Sequence, residues 1–196
     1  MKFNKYLFIF LIYFLSIEIS YSIQPEIFVQ STVNRASKVL SENISKAEKI
    51  NELKNIAKET VDIRGIGFYT LGSTRKNLND EQKKNYIEIF EQYFLKSFSS
   101  RLAEYTNPEI DVLGKEILSQ NYTIVKSLLK GTSERPEVKI YWRIYTKDPE
   151  KPLIRDLIIE GLSLARTQKE EFNSIIVNNN NNIEALFEVL NNFLEI

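Results

Sequence analysis

The sequence has no cysteine and no histidine among its 196 residues. Their absence excludes a Ser-His-Asp triad, a cysteine nucleophile and the usual zinc sites. It also excludes disulfides, so stability has to come from an apolar core. No Gly-x-x-x-x-Gly-Lys-Ser/Thr phosphate loop occurs, and Gly65-x-Gly67 lacks the third glycine and the strand–turn–helix setting of a dinucleotide site. Charge of either sign is not in excess: 26 basic residues balance 26 acidic ones, leaving no basic field for nucleic acid. Paired carboxylates remain, Asp156 with Glu160 and Asp62 beside Arg64, but charged residues on strands are more often solvated or ion-paired than catalytic. The composition therefore points away from an enzyme, a metal protein and a cofactor protein.

What is present begins at the N-terminus. Lys2 and Lys5 precede an apolar run from Tyr6 to Ile17, and Ser20 and Ser22 flank Tyr21, the pattern of a secretory signal too short to span a bilayer. Cleavage is expected after Ser22, making residues 1–22 a signal peptide and 23–196 a single domain of a size that buries roughly two-thirds of its unfolded surface. An uncleaved inner-membrane anchor is the competing reading, because the run is aromatic and Glu18 follows it closely. Cleavage removes two lysines and one glutamate and leaves a net charge of about −1. An exported chain without cysteine suits the bacterial periplasm.

The periodicity divides the chain in two. Residues 25–40 and 45–61 carry apolar positions at helical spacing, and 62–72 read as a short helix or turn in which Gly65 and Gly67 let backbone pack closely on a neighbour. The longest helix starts at an Asn79 cap with Gln82 in the capping-box position and is expected to run to Pro108. Tyr86, Phe90, Tyr93, Phe94, Phe98 and Tyr105 stripe one side of it. The period then changes, and residues 109–118, 121–130, 137–145 and 152–161 read as four antiparallel strands joined by short turns. In the third, Val138, Ile140, Trp142 and Ile144 face one way and Lys139, Tyr141, Arg143 and Tyr145 the other. Two helices follow, separated by the asparagine run 178–182, which reads as a loop able to hold left-handed residues. The fold class is α+β: N-terminal helices on a curved antiparallel sheet of about four strands, then C-terminal helices. The aromatic stripe and the Trp142 face have two readings. They are ordinary core, or they line an apolar cavity that large side chains do not fill.

At "VDIRGIGFYTLG", "DEQKKNYIEIFEQYFLKSF" and "RDLIIEGLSLARTQKEEF" the chain resembles the MlaC family, in order over roughly residues 25 to 194. The most specific part is Asp156 to Ser163, where the family pattern of Asp, three mostly apolar residues, Glu-Gly, an apolar residue and Ser is met. Gln168-Lys169 stands where many members have Tyr-Arg, and Ser73-Thr74 where many have aromatic residues. The resemblance implies a periplasmic phospholipid carrier of the system that maintains outer-membrane lipid asymmetry, also described as toluene tolerance. Such a carrier holds acyl chains in an apolar cavity, leaves head groups at its mouth, and shuttles lipid between an outer-membrane lipoprotein complex and an inner-membrane ABC transporter. It implies a monomer with phospholipid as cargo, no cofactor and no catalysis.

On that reading Phe68, Leu71, Phe90, Phe94, Phe98, Val138, Ile140, Trp142, Ile158 and Leu162 are the expected lipid-binding wall. Each buried methylene is worth about 0.8 kcal/mol, and a two-chain lipid has on the order of thirty, so a carrier has to supply a dry wall of similar extent. Glu160, Gly161 and Ser163 are expected to form the corner where the last strand leaves the sheet. There Gly161 permits the backbone, Ser163 bonds a nearby amide, Leu162 points inward, and Gly161→Val unfolds or collapses the domain. Arg75, Arg143 and Arg166 are cations that can meet phosphate or an acidic partner, or that are simply solvated. The alternative from another class is a periplasmic chaperone or interaction module that offers an aromatic groove to polypeptide.

Overall fold

The computed structural model describes residues 22–133 and 135–196. The export segment read at residues 1–22 lies outside them, Ser22 apart. Helix α1 (Pro25–Ser41) starts with proline in its first turn. Helix α2 (Lys46–Thr60) is capped by Ser45, whose hydroxyl takes the Glu48 amide while the Glu48 carboxylate takes the Ser45 amide. Helix α3 (Ile63–Thr70) is capped by Asp62, and a single 3₁₀ turn (Thr74–Asn77) leads to α4 (Asp80–Leu102). The capping box expected at Asn79 and Gln82 is there. The helix ends at Leu102 instead of running to Pro108, and Asn107, at a left-handed φ of 47°, turns the chain just ahead of the proline.

The sheet is an antiparallel meander of β1 (Ile110–Ser119), β2 (Tyr122–Leu129), β3 (Val138–Tyr145), β4 (Leu153–Ile159) and β5 (Leu162–Ser163), in that spatial order. The expected four strands are present, and the fifth is the two-residue β5. Cross-strand pairs Val125↔Trp142 and Ser127↔Ile140 put the buried residues of β2 and β3 on one face, which the helices cover. Val61 adds a parallel bridge to Ile154 at the margin of β4, which ties the α2–α3 joint to the sheet. Helix α5 (Leu164–Asn178) and helix α6 (Ile183–Glu195) complete the chain. Between them Asn180 and Asn181 are left-handed, at φ 57° and 58°, and Asn182 caps α6. Among the described residues no helix is long and apolar enough to cross a membrane.

Helix α4 is the centre of the core, packed against α2, α3 and α6. Tyr86 and Phe90 are fully buried on one side of it, with Ile89 and Leu95 on others. The Tyr86 hydroxyl meets Thr70 at 2.7 Å, and burial pushes its phenol far above its ordinary pKa. Gly67 explains the close packing expected of its segment: a β-carbon there would lie 2.8 Å from the Phe90 ring.

The Glu160-Gly161 corner is a two-residue hairpin turn between β4 and β5, with φ of 48° and 84°, both positive as a type I′ turn requires. The Glu160 carboxylate also accepts the Lys139 amide at 2.6 Å. A β-carbon on Gly161 would meet nothing within 4 Å, so the penalty for Gly161→Val is backbone strain alone. That strain is about 1–3 kcal/mol, or a fall in melting temperature of several degrees at about 2–4 °C per kcal/mol. The expectation that this substitution unfolds the domain is thus revised to a folded, weakened protein. A thermal scan checks it, and either an unfolded variant or an unshifted midpoint contradicts this account.

Candidate functional site

Two apolar cavities lie between the helices and the sheet. The first, about 230 Å³, opens between α4 and α5 and is walled by Phe90, Phe94 and Phe98 opposite Trp142, Ile154 and Leu157. The second, about 290 Å³, lies beneath α1 and α2, where Val33, Leu40, Leu53 and Ile56 face Ile140, Ile159 and Leu129. Val61, Phe98, Arg101, Trp142, Ile154, Leu157 and Leu164 line both, so the two adjoin along a common seam. Each is near the lower end of the range of ligand pockets, which starts at about 300 Å³.

The spacing of residues 90, 94 and 98 on α4, one turn apart, produces a ladder of rings. Phe90 and Phe94 stack at 6.2 Å and Phe94 and Phe98 at 5.4 Å. Phe90 is fully buried, whereas Phe94 and Phe98 are half-buried and present ring surface to the cavity. Across from them Trp142 is held in place by its indole N–H, which donates to the Ser127 hydroxyl at 2.8 Å; that hydroxyl in turn donates to the Ile140 carbonyl. This buried polar pair fixes the indole plane as part of the wall.

The mouth of the first cavity is polar. Tyr93, Ser97 and Arg101 follow one another at four-residue spacing along α4, and Gln168 and Glu171 face them from α5. The Tyr93 hydroxyl donates to Gln168 Oε1 at 3.0 Å, and Gln168 Nε2 donates to Glu171 at 2.9 Å. The Tyr93 phenol is raised above its ordinary pKa, chiefly by burial and then by the Glu171 charge, while the Gln168 bond and Arg101 oppose the shift. Arg101 is exposed, lines both cavities and forms no ion pair among the described residues.

The sequence-predicted wall is brought together in part. Phe90, Phe94, Phe98 and Trp142 meet at the first cavity, and Phe98, Ile140 and Trp142 at the second. Leu71 is buried in the core and lines neither. Val138 packs partly buried at the start of β3 and also lines neither. Phe68 faces a separate groove outside α3, with Arg64 and Arg75 over its ring. Leu162 is 70% exposed and does not point inward, because Ser163, its neighbour on β5, turns to Asp156 and successive strand residues point opposite ways.

Ile158 is displaced from the wall for a different reason. Arg143 pairs with Asp156 but Ile144 pairs with Ile154, which leaves Arg155 as an extra residue in β4. This bulge reverses the alternation, so Leu157 and Ile159 join Ile154 on the cavity face and Ile158 pairs with Tyr141 on the other. The signal was legible: Asp156 shares the parity of Ile154 and Ile158, and a carboxylate on an inward face marks a broken period. The bulge residue has its own anchor, since the Arg155 guanidinium reaches the Asp62 carboxylate at 2.6 Å and lies over the Tyr145 ring at 3.7 Å. Sequence reasoning also missed the polar mouth, which no single-chain periodicity brings into one place.

Asp156 itself is 6% exposed, and it and Glu160 have separate hydrogen-bond partners. Its carboxylate accepts the Ser163 hydroxyl at 2.6 Å and the Ala165 amide at 3.0 Å, while Ser163 caps α5 through the Arg166 amide at 3.1 Å. Asp156 and Ser163, seven residues apart, thus clamp the start of α5 to β4, and α5 carries one lip of the mouth. Among the described residues there is no cluster of carboxylates fit to hold a metal.

Among solved structures, the chain is similar to a phospholipid-binding protein from Ralstonia solanacearum in complex with a phospholipid. The identity is 16% over 88% of this chain and 98% of that one, with a TM-score of 0.75. At that identity the likeness shows a shared fold. No curated protein sequence matches this one. The family model described as MlaC protein matches residues 30–192, a span that includes both cavities, the Asp156–Ser163 clamp and all but the ends of the first and last helices, and so the chain belongs to the MlaC family.

Proposed function

We propose that the protein is a periplasmic phospholipid carrier that holds acyl chains in the two adjoining cavities and moves lipid between outer-membrane and inner-membrane complexes of the Mla type. The observation that carries this reading is the Phe90–Phe94–Phe98 ladder facing Trp142 across space that these large side chains leave unfilled. Membership of the family supports it, as does a fold shared with a protein solved with phospholipid bound. The seam at Phe98 and Trp142 lets one ligand extend from the first cavity into the second. The head group then sits at the polar lip, with its phosphate near the unpaired Arg101 guanidinium.

Native mass spectrometry of the protein purified from a bacterial periplasm tests the reading. A phospholipid in stoichiometric amount is the expected result, and a protein that stays empty after incubation with phospholipid vesicles overturns it. Affinity for unfolded polypeptide in an empty protein would support the chaperone reading instead. Phe94→Glu sharpens the test, since Phe94 is half-buried at the cavity wall, and circular dichroism selects for the comparison only a variant that folds. A carboxylate set against acyl chains without a partner costs at least about 1.4 kcal/mol, already tenfold in occupancy. A folded Phe94→Glu protein that retains lipid at the wild-type level removes the ladder from the binding wall.

A further inference from the structure

Outside the cavities, a concave groove is formed by α3, the 3₁₀ turn, the start of α4 and the middle of α5. Tyr69, Arg75, Lys76, Lys83 and Lys169 line it beside Phe68, and no carboxylate does. In a chain with equal numbers of acidic and basic residues, four cations converging without lining counter-charge is a local departure. Aromatic rings, more than carboxylates, hold these cations. The Arg75 guanidinium lies 4.2 Å from the Phe68 centroid, with Arg64 at 5.2 Å from the same ring, and the Lys169 ammonium lies 5.3 Å from the Tyr69 ring. The Lys169 stem also rests on Gly72, where a β-carbon would come within 2.9 Å of its Cε. Of the four groove cations only Lys83 has an ion-pair partner among the described residues, the fully exposed Asp80 at 3.4 Å. Cations placed over rings keep their charge and their N–H donors free for an incoming anion.

We propose that this groove binds the phosphate-bearing head groups of an anionic bilayer, so that the protein touches down on a membrane through the face formed by α3, the 3₁₀ turn and α5. Two features favour a bilayer over a free phosphate or an acidic protein. The cations come from three separate elements around an open groove, suited to several head groups at once and not to one enclosed ion. Tyr69, 47% exposed beside Lys169, is an amphipathic aromatic of the kind that sits at head-group level in a membrane interface. The groove is distinct from the lipid cavities: Gln168 lines the cavity mouth and Lys169 the groove.

Cosedimentation of the protein with phosphatidylglycerol-containing vesicles and with pure phosphatidylcholine vesicles tests the proposal. Binding to the anionic vesicles alone, weakened by added salt, is expected. Each cation near an anionic surface is worth about a fivefold change in partitioning, so the double variant Arg75→Glu/Lys169→Glu weakens binding at least about 25-fold. Arg75→Gln/Lys169→Gln, which removes charge without reversing it, weakens it by less, and circular dichroism confirms that both remain folded. Equal binding to neutral vesicles, unchanged binding by the reversed variant, or no vesicle binding by the wild type overturns the proposal, the last pointing to an acidic protein. Competition by inorganic phosphate beyond that of chloride at matched ionic strength identifies a free-phosphate site and overturns it too. Native mass spectrometry of the same variants keeps this test separate from the carrier reading, because cavity lipid is expected to be unchanged by substitutions in the groove.

Discussion

Trp142→Ala is expected to destabilise the protein by about 3–5 kcal/mol, the usual cost of truncating a buried tryptophan. That is a large part of the roughly 5–15 kcal/mol that holds a domain together. The indole is 8% exposed and forms wall to both cavities, so its removal widens the seam between them into a larger void that the surrounding helices and sheet cannot close. It also strips the buried Ser127 hydroxyl of its donor. Trp142→Phe keeps most of the wall and loses only that bond, for a smaller cost of about 1–3 kcal/mol. Chemical denaturation followed by far-ultraviolet circular dichroism ranks the variants. An alanine variant within 1 kcal/mol of wild type, set against the estimate for a core tryptophan, would show that Trp142 bears no structural load. Because Trp142 is the only tryptophan in the chain, its fluorescence in the wild type also reports directly on whether lipid enters the cavities.

Asp156→Ala is expected to cost about 3 kcal/mol or more, because hydrogen bonds to a charged group are each worth about 1.5–3 kcal/mol and two are lost. The Ser163 hydroxyl and the Ala165 amide both lose their acceptor, and the amide is left buried. The buried Arg143 Nε, which has no hydrogen-bond partner and lies 3.9 Å from the carboxylate, loses its nearby counter-charge as well. Asp156→Asn retains a carbonyl for the Ala165 amide and is expected to cost less than the alanine variant. A local readout separates this clamp from a general loss of packing: hydrogen exchange at the first turn of α5 rises in Asp156→Ala beyond the rise elsewhere. Exchange that rises uniformly over the molecule contradicts the clamp. With α5 loosened, the Gln168–Glu171 side of the cavity mouth is displaced, so lipid retention falls with it.

The helices and strands were legible because their signals are local. The capping box at Asn79 and Gln82, the four-residue ring spacing of α4 and the two-residue alternation of β3 each act within a few residues of chain. The wall was legible only where those periods ran unbroken. Phe90, Phe94, Phe98, Ile140 and Trp142 lie in regular stretches and were placed, whereas Ile158 follows the Arg155 bulge and was assigned to the wrong face. Leu162 failed for a related reason, since a two-residue turn precedes it and the strand it begins has only one other member to set its direction.

By itself the sequence determined the fold class, the exclusion of histidine and cysteine chemistry and the aromatic stripe on α4, because these depend on composition and on short-range periodicity, whereas the family was legible as a resemblance of particular motifs, above all Asp156 to Ser163. Only the tertiary structure decided that the stripe borders cavities, that Leu157, Ile159 and Leu164 complete their wall, and that Tyr93, Arg101, Gln168 and Glu171 share one mouth. It also separated Phe68 from the cavity wall and gathered Arg75, Lys83 and Lys169 around it. The physical reason is that a cavity is the space left between elements. Its shape depends on how α4 and α5 lie across the sheet, which is not written in the period of any single segment, and on one extra residue in β4, whose one trace in the sequence is Asp156 on an otherwise apolar parity.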